Sequence, residues 1–158
     1  MLLVDQLNKD TIVVPINAQD SSGAVQELLN TLLKLNYLTA TIKLFSFIDK
    51  EENQMNSAVG RGVAYAHAVS MEVSNLVCVL GISKNGVEYP STDGQPSNIV
   101  LLSLTPKENP NAHWKFIRRF QSMISDVSIK EKLINAIDSE EAGNLIKDWE
   151  DQQEVEEI

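Results

Sequence analysis

Cysteine is nearly absent. Cys78 is the only one, which excludes an internal disulfide framework. It sits in the apolar run Leu76-Val77-Cys78-Val79-Leu80, as a small core residue and not a thiol nucleophile. Histidines number two, His67 and His113, and neither His-x-x-x-His nor Cys-x-x-Cys spacing occurs, so no metal site and no cofactor are expected. The nucleophile-elbow pattern Gly-x-Ser-x-Gly of serine hydrolases is missing. Positive charge is in deficit, with 13 lysines and arginines against 22 acidic residues and a formal net charge of −9. Nucleic acids and anionic membranes require basic patches that neutralise phosphates, so neither is an expected partner. No apolar run is long enough to span a bilayer, and Met1-Leu2-Leu3-Val4-Asp5 carries no basic leader. Neither membrane insertion nor a signal peptide is expected, and the cytoplasm is the expected location.

What is present is typical of a globular protein: 43% hydrophobic and 22% charged residues over 158 positions. That length supports one core, and no repeat or linker interrupts it, so a single domain over 1–158 is expected. The acidic stretch Glu150-Asp151-Gln152-Gln153-Glu154-Val155-Glu156-Glu157 reads as a solvated helix end or frayed terminus, making 150–158 a tail.

Thr11-Ile12-Val13-Val14-Pro15-Ile16 is β-branched and apolar, and Pro15 lacks a backbone donor, which suits an edge strand. Asp20, Ser21 and Ser22 are candidate N-caps for a helix with Val25, Leu28, Leu29, Leu32 and Leu33 on one face. Past a turn near Asn36, the spacing of Ile42, Phe45 and Ile48 predicts a second helix that ends in Asp49-Lys50-Glu51-Glu52. Val63-Ala64-Tyr65-Ala66 reads as a short strand. Asn75 to Ser83 and Asn98 to Thr105 are core strands, with turns at Lys84-Asn85-Gly86 and Thr92-Asp93-Gly94 and edge pairing at Val87-Glu88-Tyr89. From Ala112, His113, Ile117, Phe120 and Ile124 draw an inward stripe on a helix. Trp114 and Phe116 beside it suit core and interface packing. Ser128 to Ala136 and Ser139 to about Gln152 form two more helices. The order β-α-α-β-β-β-α-α-α predicts an α/β protein, a three-layer α/β/α sandwich with a mixed sheet.

The segment Asn56-Ser57-Ala58-Val59-Gly60-Arg61-Gly62-Val63-Ala64-Tyr65-Ala66-His67-Ala68 departs from a generic pattern. Two glycines, which free the backbone and remove side chains, precede an apolar run that ends on a histidine. Imidazole, with a pKa near 6.5, can be a nucleophile, a base or a ligand at neutral pH, and a strand end is where functional residues often sit.

The part Gly60-Arg61-Gly62-Val63-Ala64-Tyr65-Ala66-His67 resembles the Gly-x-Gly-Val/Ile-Ala-Ile-Pro-His signature of the IIA domains of the bacterial sugar phosphotransferase system, of the fructose/mannitol and nitrogen-regulatory type. The resemblance extends to the leading strand and two helices, the Gly86 and Asp93-Gly94 turns, the strand Ile99 to Leu104, and His113 opening the next helix. It implies that His67 accepts a phosphoryl group from a small phosphocarrier protein. His113 would lie beside His67 and orient or stabilise it. The glycines would let the donor's histidine approach, and first-turn amides near Ala112 and His113 would hold phosphoryl oxygens.

Three positions depart from the family pattern. Its Arg-Glu pair aligns with Glu51-Glu52, its Ser-Thr with Asn56-Ser57, and its proline with Ala66. With the arginine replaced, Lys50 or Arg61 is the expected source of positive charge, and Ser57 keeps one hydroxyl for secondary contacts. Within the resemblance, the chain is a phosphohistidine carrier with a nitrogen-regulatory-type signalling role. Two other readings stand: a regulatory binding module of the same fold with weakened or lost phosphoryl transfer, and a component passing phosphate to a fructose/mannitol-type sugar permease. No fused sugar-specific domain is expected, which favours regulation.

Overall fold

The computed structural model describes residues 1–50, 53, 58–90 and 93–157. Its centre is a mixed five-stranded sheet in the order β1-β4-β5-β3-β2, built from β1 (Ile12–Val13), β2 (Ala58–Gly60), β3 (Val63–Ser70), β4 (Val77–Val87) and β5 (Ser97–Pro106). β1 runs parallel to β4 and β3 parallel to β5, while β4–β5 and β2–β3 are antiparallel. β1 lies at the sheet edge, and Pro15 follows two residues after its end.

Alternation along the strands sends side chains into two separate cores. On one face Ala64, Ala66, Ala68, Val79, Val100 and Leu102 pack under α1 (Ser21–Lys34) and α2 (Ile42–Ile48). On the other, Cys78, Leu80, Ile82, Ile99 and Leu101 pack under a short 3-10 turn (Leu3–Asp5) and the helices α3 (Trp114–Ile124), α4 (Val127–Ile134) and α5 (Ser139–Glu157). The layers are therefore the expected α/β/α sandwich, with β2 as a strand the sequence reading did not separate from its loop.

Local chemistry explains the ends. Asp20 caps α1 by accepting from Gly23 N at 2.8 Å. α1 stops in a Schellman turn: Asn36 takes φ 65°, its N–H donates to Leu33 O, and Tyr37 N donates to Leu32 O. Ala24, Val25, Leu28, Leu29 and Leu32 are fully buried, each of the larger ones contributing about 1.5–3 kcal/mol. Asp126 and Asp138, one to two residues upstream of the serines expected to start them, cap α4 and α5.

The structure corrects four expectations. Ile42 is exposed because the seven-residue α2 faces inward through Leu44, Phe45 and Ile48 instead. Lys84-Asn85-Gly86 does not turn the chain. It lies within β4, where Gly86 at φ +89° accompanies a register shift between Ile82 and Val87. The inward stripe of α3 is shifted, with Phe116, Phe120 and Met123 at its centre and Trp114 exposed. Glu150 does not belong to a solvated tail: it is 2% exposed and accepts from Leu3 N, Val4 N and Arg119 Nε. Acidic composition hid it, because its three donors come from remote segments.

Candidate functional site

His67 lies within β3, not at its end, directly opposite Ser103 of the parallel strand β5. Its neighbour two positions back, Tyr65, packs into the core beneath α3, and its ring meets Phe120 edge-on at 6.1 Å. The two-residue period puts the His67 imidazole on that same face. His113 is the N-cap residue of α3, reached from the end of β5 by a short loop. Parallel pairing of β3 with β5 thus carries the loop and the start of α3 back over His67. The two imidazoles stack, with ring centroids 4.0 Å apart and planes 13° from parallel.

The pair lines a pocket of about 190 Å³ with Tyr65, Ala66, Ser103, Trp114 and Ile117. Nε2 of His67 is 2.8 Å from Oγ1 of Thr105, and that hydroxyl donates to the carbonyl oxygen of Pro110 at 3.2 Å. Among the described residues Nδ1 of His113 is buried without a well-aligned hydrogen-bond partner, although the Pro110 carbonyl lies near enough to favour its proton.

Burial dominates the electrostatics. Desolvation first, and then repulsion from His113, lowers the pKa of His67 to about 4. Burial also lowers His113, with the Pro110 carbonyl pulling the other way. Tyr65 is pushed up to about 12 by burial, against a hydrogen bond from Gln121, so it stays protonated. At neutral pH the pocket therefore presents two neutral imidazoles, each with a nitrogen lone pair, and a neutral imidazole of this kind is a nucleophile.

Other expected residues are placed elsewhere or not described. Arg61 occupies the β2–β3 turn, and about 13 Å of strand rise separates Val63 from His67. There Arg61 has φ 57°, its N–H donates to Asp93 Oδ2 at 2.8 Å, and its carbonyl accepts from Lys130 Nζ. The glycines beside it, Gly60 and Gly62, have positive φ and shape this turn. Lys50 follows α2, exposed, with Nζ 5.9 Å from the Phe47 ring, and is not part of the pocket lining. Ser57, Glu51 and Glu52 lie outside the described residues. The Ala112 N–H, expected to be open to an anion, already donates to Asn109 O.

Sequence reading missed Thr105, Ser103 and Pro110. Ser103 and Thr105 alternate correctly on one face of β5, but nothing local reveals that this face meets His67. Two cations, Lys115 and Arg118, line a groove of about 570 Å³ with Asn109, Asn111, Ala112 and Trp114, and Trp114 also lines the histidine pocket. Among the described residues no group of three or more His, Cys, Asp or Glu is arranged to hold a metal ion, and no helix is long and apolar enough to cross a membrane.

The chain is similar to known proteins in sequence and in fold. The chain is 29% identical over 142 residues to the fructose-specific EIIABC component of Bacillus subtilis, covering 90% of this chain and 22% of that protein. It therefore spans less than a quarter of that relative's length. It is 25% identical over 133 residues to the nitrogen regulatory protein of Bradyrhizobium diazoefficiens, covering 84% and 86% of the two chains. In fold it matches a solved complex of enzyme IIAMtl and phosphorylated enzyme IIBMtl from Escherichia coli, with a TM-score of 0.73 at 18% identity, over 90% of this chain and 97% of that one. A family model described as phosphoenolpyruvate-dependent sugar phosphotransferase system, EIIA 2, matches residues 5–149. With that match over most of its length, this chain belongs to the EIIA 2 family of the sugar phosphotransferase system.

Proposed function

We propose that residues 1–158 act as one cytoplasmic IIA-type unit that accepts a phosphoryl group on His67 from a phosphohistidine carrier protein. The imidazole lone pair forms the new N–P bond as the donor's P–N bond breaks, and the electron pair of that bond returns to the donor's imidazole. The observation that carries this reading is the stacked His67–His113 pair, held neutral in a partly desolvated pocket. A neutral ring is ready to attack, and transfer of this kind depends on positioning and electrostatics. His113 orients His67 by stacking. Lys115 and Arg118, on the first turns of α3, supply the positive charge that Glu51 does not, and Arg61, Lys50 and Ser57 have no assigned role in this mechanism.

The downstream role is of the nitrogen-regulatory type, supported by similarity to the nitrogen regulatory protein of Bradyrhizobium diazoefficiens. The similarity to a fructose-specific component supports a second reading, in which the phosphoryl group passes on to a sugar permease. Incubation with phosphorylated carrier protein tests the first step: acid-labile phosphate is expected on the wild type and not on His67→Ala, and equal labelling of the two sinks the reading. Offering the labelled protein to a purified fructose- or mannitol-type IIB component separates the roles. Retention of the label supports regulation, whereas discharge supports the permease.

A further inference from the structure

Phosphoryl transfer needs positive charge at the phosphoryl oxygens, and Glu51 stands where the family pattern has its arginine. All 13 lysines and arginines lie among the described residues, and most are held elsewhere. Arg61 and Lys130 meet at the far end of β3, Arg119 pairs with Glu150, and Lys147 pairs with Asp151. Lys50, after α2, and Lys107, after β5, line neither the histidine pocket nor the groove beside Trp114. Lys115 and Arg118 line that groove, both are exposed, and neither has an ion-pair partner among the described residues.

Helix geometry separates the two. At about 100° per residue, His113, Ile117 and Trp114 form one arc of α3 over the histidine pocket, with Arg118 about 40° beyond Trp114 and Lys115 about 100° beyond it. Lys115 is therefore turned away from His67, whereas Arg118 stands immediately behind the indole. That indole is fixed: its Nε1–H donates to Asn111 Oδ1 at 3.2 Å, and its ring lies 5.8 Å from the ring of His113. Trp114 is thus a ridge with the histidines on one side and the free guanidinium on the other.

We propose that Arg118, and not Lys115, reaches past the edge of Trp114 and holds the phosphoryl oxygens during transfer to His67. This rests on the phosphoryl-acceptor reading above and assigns its cation. A guanidinium presents two parallel N–H donors to two oxygens of one phosphoryl group, which an ammonium cannot do. Arg118 neither gives nor takes a proton. The imidazole of His67 forms the new N–P bond, the donor's P–N bond breaks with its electron pair returning to the donor's imidazole, and the guanidinium offsets the charge spread over the oxygens. Arg119, one residue on, cannot take this part, because Glu150 and the Trp149 ring hold it on the other side of the helix.

The test uses the full chain as wild type, Arg118→Ala, Arg118→Lys and Lys115→Ala. Each is phosphorylated in parallel by phosphorylated carrier protein and by phosphoramidate, a small donor that needs no docking surface, and phosphorus NMR then follows the titration of the phosphoryl group on His67. Arg118→Ala is expected to slow acceptance from both donors about 10- to 100-fold. It should also raise the phosphoryl midpoint by about 0.5–1 pH unit, because the dianion loses its cation. Arg118→Lys keeps the charge without the fork and should be slowed only about 3- to 10-fold, and Lys115→Ala should stay within about 2-fold of wild type. Because both side chains are exposed and unpaired, urea melts of all four proteins should coincide. Unchanged rates and midpoint in Arg118→Ala, a loss confined to the carrier reaction, or a larger loss in Lys115→Ala overturns the proposal. Labelling of wild type by phosphoramidate but not by the carrier would overturn the carrier reading, while the phosphorus titration still decides the part of Arg118. No labelling of His67 by either donor overturns both.

Discussion

The imidazoles of His67 and His113 lie face to face, 4.0 Å between centroids, although one belongs to a strand and the other to the cap of a helix. Two rings this close cannot both carry a proton cheaply, since like charges in a partly buried site repel strongly. His67 is expected to titrate near pH 4. Replacing His113 by Asn removes the repulsion and should raise the His67 midpoint, though not to 6.5, because desolvation is the larger cause. Proton NMR titration of both proteins reads this directly, and an unchanged midpoint in His113→Asn would show that the rings do not interact.

The same shift links stability to pH. In the unfolded chain His67 binds its proton near pH 6.5, and in the folded chain only near 4. Between those values the unfolded state holds more protons, so stability is full above about pH 6.5 and declines as pH falls towards 4. The ring is partly solvent-screened, so the loss is on the order of 1–2 kcal/mol and less than the whole shift implies. His67→Gln should flatten this segment of the profile in denaturant melts at pH 4.5 and 7.

Arg61 sits in left-handed backbone between Gly60 and Gly62, which also have positive φ. Arg61→Gly relieves a conformation that costs a non-glycine residue roughly 1 kcal/mol, so it should leave stability unchanged or slightly raised. Gly62→Ala is different, because a Cβ there would lie 2.8 Å from Asn98 Oδ1 at φ +79°. A loss of about 1–3 kcal/mol is expected in urea melts. Phosphoryl acceptance per folded molecule should not change in either variant, since the turn is remote from the pocket.

Glu150 is expected to be indispensable to the fold despite its place in an acidic terminal stretch. Its carboxylate accepts from two backbone amides of the N-terminal turn and from Arg119, whose guanidinium also lies over the Trp149 ring at 5.7 Å. Glu150→Ala leaves Arg119 and both amides without their acceptor, which should cost about 3–5 kcal/mol. Asp151→Ala, at an exposed position one residue on, should cost less than about 0.5 kcal/mol. Similar losses for the two would contradict the buried role.

Much of the architecture was legible in local pattern. The apolar spacing of Val25, Leu28, Leu29 and Leu32 marked α1, the continuous apolar runs marked β4 and β5, and Pro15 marked β1 as an edge. Reading failed where a residue's meaning depended on a distant partner. Gly86 looked like a turn and is a bulge, because β5 continues alongside it. The spacing of Ile42, Phe45 and Ile48 suggests one inward face, but the sheet beneath α2 takes Leu44, Phe45 and Ile48 and leaves Ile42 exposed. Arg61, read as a candidate source of charge for His67, is held at the far end of β3 by Asp93 and Lys130.

By itself the sequence determined which segments are helix and strand, the two apolar faces of the sheet, and the two histidines worth attention, because periodicity and side-chain chemistry are local properties. Only the tertiary structure decided that His67 and His113 touch, that Thr105 and Pro110 hold the ring, and that Glu150 is core. Those facts depend on β3 pairing in parallel with β5 and on helix docking, interactions between residues far apart in the chain that no local pattern encodes.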